Sequence, residues 1–457
     1  MSQLRKATLG LIAVVCVWTG CRKPPPDEHV YTGQIAPPSG AGGGAAAGSG
    51  AAPGTGGSWT LGGTGGVLDA GADAGEHTAL TCQLGPEPET FSKSALLASI
   101  AQCALTRYEA HRQSALELQR TTQAFATDPS DVNALSAQNA WRQAISAWQR
   151  AELFRFGPAA RTGEPGAQDL RDQIYGWPLV SRCKVDEQLV GQDYMKPEFA
   201  SSLINGRTHS ALDYLLFYAG EDNGCSSFSA INANGTWSAL GAEEIRARKA
   251  AYAGAIGSLL LTNASLLVEH WVPAQPNFPN GKNFCNSLAT AGMGSSVFDS
   301  DQAALNAVSD ALFYVDKELK DWKLGRPVGF VDCFSEVCPE AVELPFSKGS
   351  LAHIANNLAG FRDLFTGCSD SALRLGFDDW LTAVGAESVS QRMLTALDGA
   401  QLEVSKVAGP LDTAVVNDKA SVERAYAAVK QLTDILKTEF VTVLNLELPK
   451  SAEGDND

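Results

Sequence analysis

Helical spacing that recurs over most of the chain, with no strand alternation to interrupt it, most constrains what this sequence can fold into. Across 92–127, Leu96, Ile100, Cys103, Ala104, Tyr108 and His111 return to one face at three- and four-residue steps. Asp128-Pro129-Ser130 makes a turn, and Ser130 or Asp131 can cap the next helix. That helix, running to about residue 156, carries the stripe Trp141, Ile145, Trp148, Glu152. Glu152 lies in register with two tryptophans. It is either an ion-paired glutamate at the edge of the stripe or a carboxylate facing a polar cleft. Further helices are expected over 168–174, 181–193, 243–272, 300–323, 350–365, 388–407 and 419–446. The stretches 223–238 and 273–294 read as loops, and Gly157-Pro158 and Gly325 to Gly329 as breaks. The fold class expected is all-α, built from helical bundles, with lobes at about 89–275 and 298–450.

Ahead of this helical region the composition changes twice. Arg5 and Lys6 precede an apolar run from Ala7 to Val17, which has the length of a signal-peptide core. Trp18-Thr19-Gly20-Cys21 then has the form of a lipidation site, although Trp18 stands where an aliphatic residue is usual. Residues 1–20 are therefore expected to be a signal peptide and Cys21 a lipidated residue, the chain's one attachment to a membrane. No later apolar stretch is expected to be long enough to cross a bilayer. Residues 21–88 are dominated by Gly, Ala, Pro and Ser and read as a flexible tether. The location implied is the cell envelope, facing the periplasm or the cell surface.

Eight cysteines remain beyond Cys21, an even number that suits disulfides in an exported protein. Short loops make Cys183–Cys225 and Cys333–Cys338 the easiest pairs to close. The absence of any CxxC spacing argues against a zinc site made of cysteines. The formal charge is −16, and losing residues 1–20 removes two basic residues and no acidic one. Such a chain repels phosphate backbones, so no nucleic-acid partner is expected.

The stretch from Asn205 to Gly220 gathers the candidate site. His209, Ser210 and Asp213 sit directly before the apolar run Tyr214, Leu215, Leu216, Phe217. His209 and Asp213 are four residues apart and share a helix face. Such a pair either ligates a divalent metal such as zinc or iron, with Glu152 as a third ligand, or is a hydrogen bond that orders the helix start. There is no nucleophile elbow, no phosphate-binding loop and no HExxH helix. His353 could face the cleft, but its place on the helix beside Asn356 and Asn357 reads rather as capped or solvent-facing.

Several segments together resemble the imelysin family of bacterial envelope proteins. They are Ala140 to Ala144 with Trp148 to Pro158; Ile174 to Pro178 with Cys183 to Asp186; Ala211 to Phe217; and Leu324 to Gly329 with Leu344 to Leu351 and Asn357 to Phe361. The resemblance implies two related helical bundles with a cleft between them. Some members carry a GxHxxE motif and are classed as metallopeptidases. Holding Tyr214 to Phe217 in register puts Asp213 on the Glu position and Ser210 on the His position, with His209 one residue early. Trp177, Asp186, Arg155 and Ser347 belong to the family-like segments and are expected to hold the bundle interface. The function expected is non-catalytic: binding a small ligand or a metal ion in the interlobe cleft. The alternatives are a metallopeptidase rebuilt from His209, Asp213 and Glu152, or a structural or partner-binding envelope protein.

Overall fold

The computed structural model describes residues 80–84, 90–368, 374–450 and 452. The expected signal peptide, Cys21 and the tether up to residue 79 lie outside the described residues. Residues 80–84, placed in the tether by composition, are held against the helices. Cys82 is buried and bonded to Cys285, its amide donates to Gln102 Oε1 at 2.8 Å, and Gln102 donates back to the Leu80 carbonyl.

The first helix, α1 (Lys93–Thr127), starts where the Ser92 hydroxyl accepts from the Ala95 amide. It packs on α2 (Asp131–Ala151) and, after the short α3 (His209–Phe217), on the long α4 (Ala242–Trp271). The stripe expected on α2 is the buried face: Trp141, Ile145 and Trp148 are all solvent-excluded. By length and apolarity α4 could cross a membrane, contrary to the expectation above. It is a core helix instead, burying Ile245, Tyr252, Leu260 and Trp271 against its neighbours.

The second group comprises α5 (Asp301–Leu312), α6 (Ser350–Thr366), α7 (Glu387–Lys406) and α8 (Lys419–Ile435). Here α7 lies on α8, and α6 lies on both α7 and the first group's α2. Gly360 makes that last approach close, because a Cβ there would run into the Arg150 carbonyl. A clamp reinforces it: Asp363 on α6 binds Arg107 of α1 at 2.9 Å and Arg150 of α2 at 2.7 Å.

Expectations about secondary structure need correction at several points, among them the loop over 223–238, which holds a helical turn at Ala230–Ala233, and the helix over 419–446, whose first α-helical stretch ends at Ile435. Residues 273–294 are not all loop: β1 (Pro273–Gln275) pairs antiparallel with β2 (Phe278–Lys282), and Phe284–Ala289 is a helical turn. The helix expected over 300–323 is α-helical only to Leu312, and Val315–Gly325 is a π-helix. The wider turn accompanies an inward placement of both Lys320 and Lys323, which are fully buried. Asp316 and Asp321 balance Lys320 at 3.2 and 3.3 Å.

All eight described cysteines are paired. Cys183–Cys225 and Cys333–Cys338 form as expected. The other two bonds, Cys82–Cys285 and Cys103–Cys368, span 203 and 265 residues.

Candidate functional site

Helix α3 is set in place by its first residues. The Gly176 amide donates to Thr208 Oγ1 at 3.1 Å, and Trp141 Nε1 donates to the His209 carbonyl at 3.1 Å. This buries His209, Ser210 and Asp213 almost completely, at 0%, 2% and 1% exposure. Beside them is a residue that the sequence placed only on a core face, His111 of α1. Its ring centre lies 5.3 Å from that of His209 and 5.0 Å from that of Trp148.

The two histidines have unusual hydrogen-bond states for buried groups. His111 Nδ1 meets the Ala144 carbonyl at 3.2 Å, which fixes Nδ1 as the protonated nitrogen and leaves a lone pair on Nε2. That Nε2 has no partner, nor has either ring nitrogen of His209, nor Ser210 Oγ. Burial holds His111 neutral, pulling it from 6.5 down to about 4 against the lift from the Ala144 carbonyl. Burial lowers His209 well below the ordinary range, and His111 and His353 add to this. Buried polar atoms ordinarily find partners, so four unpartnered ones around two neutral imidazoles mark a site able to accept a ligand.

Asp213 is engaged elsewhere. Its Oδ1 accepts from the Ser347 amide at 2.8 Å and its Oδ2 from the Phe346 amide at 3.1 Å, tying α3 to a loop of the second helix group. Burial raises Asp213 to about 6, and those donors only partly offset it. The anticipated His209–Asp213 hydrogen bond does not form, since both His209 nitrogens are without a partner.

Glu152 is held by other residues too. It accepts from Arg171 Nε at 3.0 Å and from the Tyr314 hydroxyl at 3.1 Å. Among the described residues, Glu152, His209 and Asp213 do not bring three ligand atoms within 4.8 Å of one another. The one trio that does is Cys183, Glu187 and Cys225, and its sulfurs are joined to each other.

His353 is not solvent-facing: it is 2% exposed, with Nδ1 at 3.3 Å from Glu343 Oε2. Glu343 is the centre of a fully buried network. Lys323 Nζ lies 2.7 Å from its Oε1, Gln149 Nε2 donates to it at 2.9 Å, and the Tyr175 hydroxyl donates to it as well. Lys323 also donates to Gln149 and to Asn357, so α2, α6 and the π-helix share one set of hydrogen bonds. Aromatic rings close the junction around this network. Phe346 packs on Tyr214 and Tyr218, and Trp177 on Trp322. Of the residues expected to hold the interface, Arg155 pairs with Glu318, Trp177 packs on Trp322 and the Ser347 amide donates to Asp213, whereas Asp186 accepts from Tyr214 inside the first helix group.

Sequence reasoning missed His111, Lys323 and Glu343 as site residues and gave a cleft-facing His353 only as the less favoured alternative. Their signal was faint. His111 lay on an apolar stripe, and Glu343 directly preceded the family-like segment beginning at Leu344.

Comparison with known proteins places this geometry among relatives. A family model described as imelysin, and labelled as a peptidase, matches residues 104–438. Iron-regulated protein A of Synechococcus elongatus is 21% identical over 349 residues, covering 76% of this chain and 85% of that protein. Two crystal structures share the fold, each at a TM-score of 0.58. One is described as an iron-regulated protein A precursor from Parabacteroides distasonis, at 16% identity, covering 77% of this chain and 95% of that one. The other is an imelysin-like protein from Psychrobacter arcticum, at 18% identity, covering 79% and 98%.

Proposed function

Since the chain belongs to the imelysin family, we propose that it is an exported, non-catalytic binding protein that takes a divalent metal ion at the junction between its helix groups. The observation that carries this reading is the pair of buried, neutral histidines, His111 and His209, with unpartnered ring nitrogens. Neutral imidazole suits zinc and iron among first-row ions. The Ala144 carbonyl on His111 Nδ1 is the usual outer support of a metal-binding imidazole. His353 is a further imidazole in reach, near enough to interact electrostatically with both His209 and Asp213. The name of the Synechococcus relative, which records regulation by iron, favours iron over zinc.

Hydrolysis is disfavoured by what surrounds the ion. Ser210 stands on the family's His position, and Asp213, on its Glu position, has both oxygens committed to the Phe346 and Ser347 amides. A hydrolytic site needs a free base and an open water position. Export through residues 1–20 and a lipid on Cys21 complete the proposal and fit an envelope location.

A second reading draws on the aromatic packing of Tyr214, Tyr218 and Phe346: an envelope protein whose junction is a rigid lock that takes no small ligand. Equilibrium dialysis of the purified chain against Fe(II) and Zn(II), run beside a peptide-hydrolysis assay, separates the readings. The account expects one ion bound and no hydrolysis. Hydrolysis abolished by Asp213→Ala would establish the peptidase. No bound ion would leave the rigid lock.

A further inference from the structure

His209 is fully buried, so an ion reaches it only if part of the protein moves. Its ring meets His111 of α1, and its carbonyl accepts from Trp141 of α2. Both are long helices packed on each other and clamped to α6 through Asp363, so that side is fixed. The other side differs. Asp213, one turn along α3, lies on the same helix face as His209. Residues 344–349, which form neither helix nor strand, cover that face. Their Phe346 and Ser347 amides donate to the Asp213 carboxylate. At their far end Gly349 sits against His353, where a Cβ would lie 3.0 Å from Nε2.

This segment separates α3 from solvent. Leu344 and Ser350 are buried and anchor its ends, whereas Pro345, Phe346, Ser347 and Gly349 are partly exposed and Lys348 is exposed. Leu344 and Lys348, on either side of the held amides, have left-handed backbone, with φ of 48° and 60°. A residue with a Cβ disfavours that region, so the conformation persists only while its surroundings impose it. Between the anchors it is imposed by the paired amides on Asp213, by the Phe346 ring on Tyr214 and Tyr218, and by Lys348 with Asp412 at 2.6 Å. The bonds to Asp213 are the strongest of these, because an ionised acceptor strengthens each one.

We propose that residues 345–349 are a strap that swings out to admit a divalent ion to His111 and His209 and closes behind it, with Asp213 as the latch. Its role as a gate rests on the histidine pair as the ion's site. Asp213 is then a positioning residue, which touches the strap and not the ion. A gate scales uptake and release together, because the ion passes the same opening in both directions. Weakening the latch therefore raises both rates and leaves affinity unchanged, whereas loss of a ligand lowers affinity.

Two measurements on the purified chain, wild type, Asp213→Asn and Phe346→Ala, test this. The first is hydrogen exchange, without metal, of the peptide covering 344–349. The second is stopped-flow uptake of Fe(II) and Zn(II), and their release to excess chelator. Asn accepts from only one of the two amides, so Asp213→Asn should speed strap exchange by at least about tenfold, a factor equal to about 1.4 kcal/mol. Uptake and release should quicken by the same factor, with Kd unchanged. Phe346→Ala, which unseats the ring, should act in the same direction, and it decides if Asp213→Asn does not fold. Strap exchange that is unchanged in both variants overturns the gate. So does an ion bound with unaltered rates, or a change in Kd without a change in uptake. A chain that binds neither ion overturns the histidine reading and the gate with it, so the two failures are told apart.

Discussion

Glu343→Gln is the substitution whose cost follows most directly from the structure. Glu343 and Lys323 are both 0% exposed, with Nζ 2.7 Å from Oε1. Burial alone would raise the carboxyl, but Lys323 and then His353 outweigh it and hold it at about 2, against an ordinary 4.5. That displacement is worth roughly 3 kcal/mol at about 1.36 kcal/mol per pH unit. Breaking a buried pair by removing one partner costs about 3–5 kcal/mol, which agrees. Glu343→Gln should therefore lose about 3 kcal/mol of stability at pH 7 in urea unfolding. The pH dependence fixes the cause. Because the folded carboxyl is depressed, its contribution is complete above 4.5 and fades as pH falls toward 2. The gap between wild type and variant should then close over that interval. Adding Lys323→Met should recover part of the loss, since it removes the stranded cation. A loss under about 1 kcal/mol, or a gap that does not change between pH 7 and pH 2, would refute the reasoning.

Three further predictions concern the frame around the site. Gly360→Ala pushes a methyl into the Arg150 carbonyl where α2 and α6 meet, and should cost about 1–3 kcal/mol in chemical denaturation. Replacing Cys103 and Cys368 by serine opens a bond spanning 265 residues and should cost about 2–5 kcal/mol, measured by the same method without reductant. Asp213 is raised to about 6, so the folded state holds that proton more tightly than the unfolded chain. Its stabilising contribution is complete below about 3.8 and is lost as pH rises to about 6. Asp213→Asn should flatten that limb of the stability profile, while His111, lowered to about 4, contributes a slope of opposite sign between 6.5 and 4.

The parts of this fold that were legible in the sequence are those set by local spacing. The Trp141–Ile145–Trp148 stripe is the buried face of α2 because a helix brings those positions to one side. Cys183–Cys225 and Cys333–Cys338 were readable because short loops close at low entropic cost. Cys82–Cys285 and Cys103–Cys368 join segments that only the assembled bundles bring together. The same limit applies to the site. His209, Ser210 and Asp213 share one short helix and were found together, whereas Glu152 was left open between an ion pair and a cleft-facing ligand, and the structure shows the ion pair. Its counter-ion, Arg171, comes from a separate short helix (Leu170–Ile174), which turns a candidate ligand into half of a buried ion pair. His353 looked exposed because the residue that makes its burial tolerable, Glu343, lies on a loop outside its helix. The π-helix left no trace in the apolar pattern, although it accompanies the placement of Lys323 at the centre of the network.

X-ray absorption at the iron or zinc edge of the metal-loaded chain tests the central claim most directly. The account predicts scattering from two imidazoles at about 2.0–2.1 Å, falling to one in His111→Ala or His209→Ala, with affinity reduced in step. A metal shell without imidazole, or one unchanged by both substitutions, would contradict it.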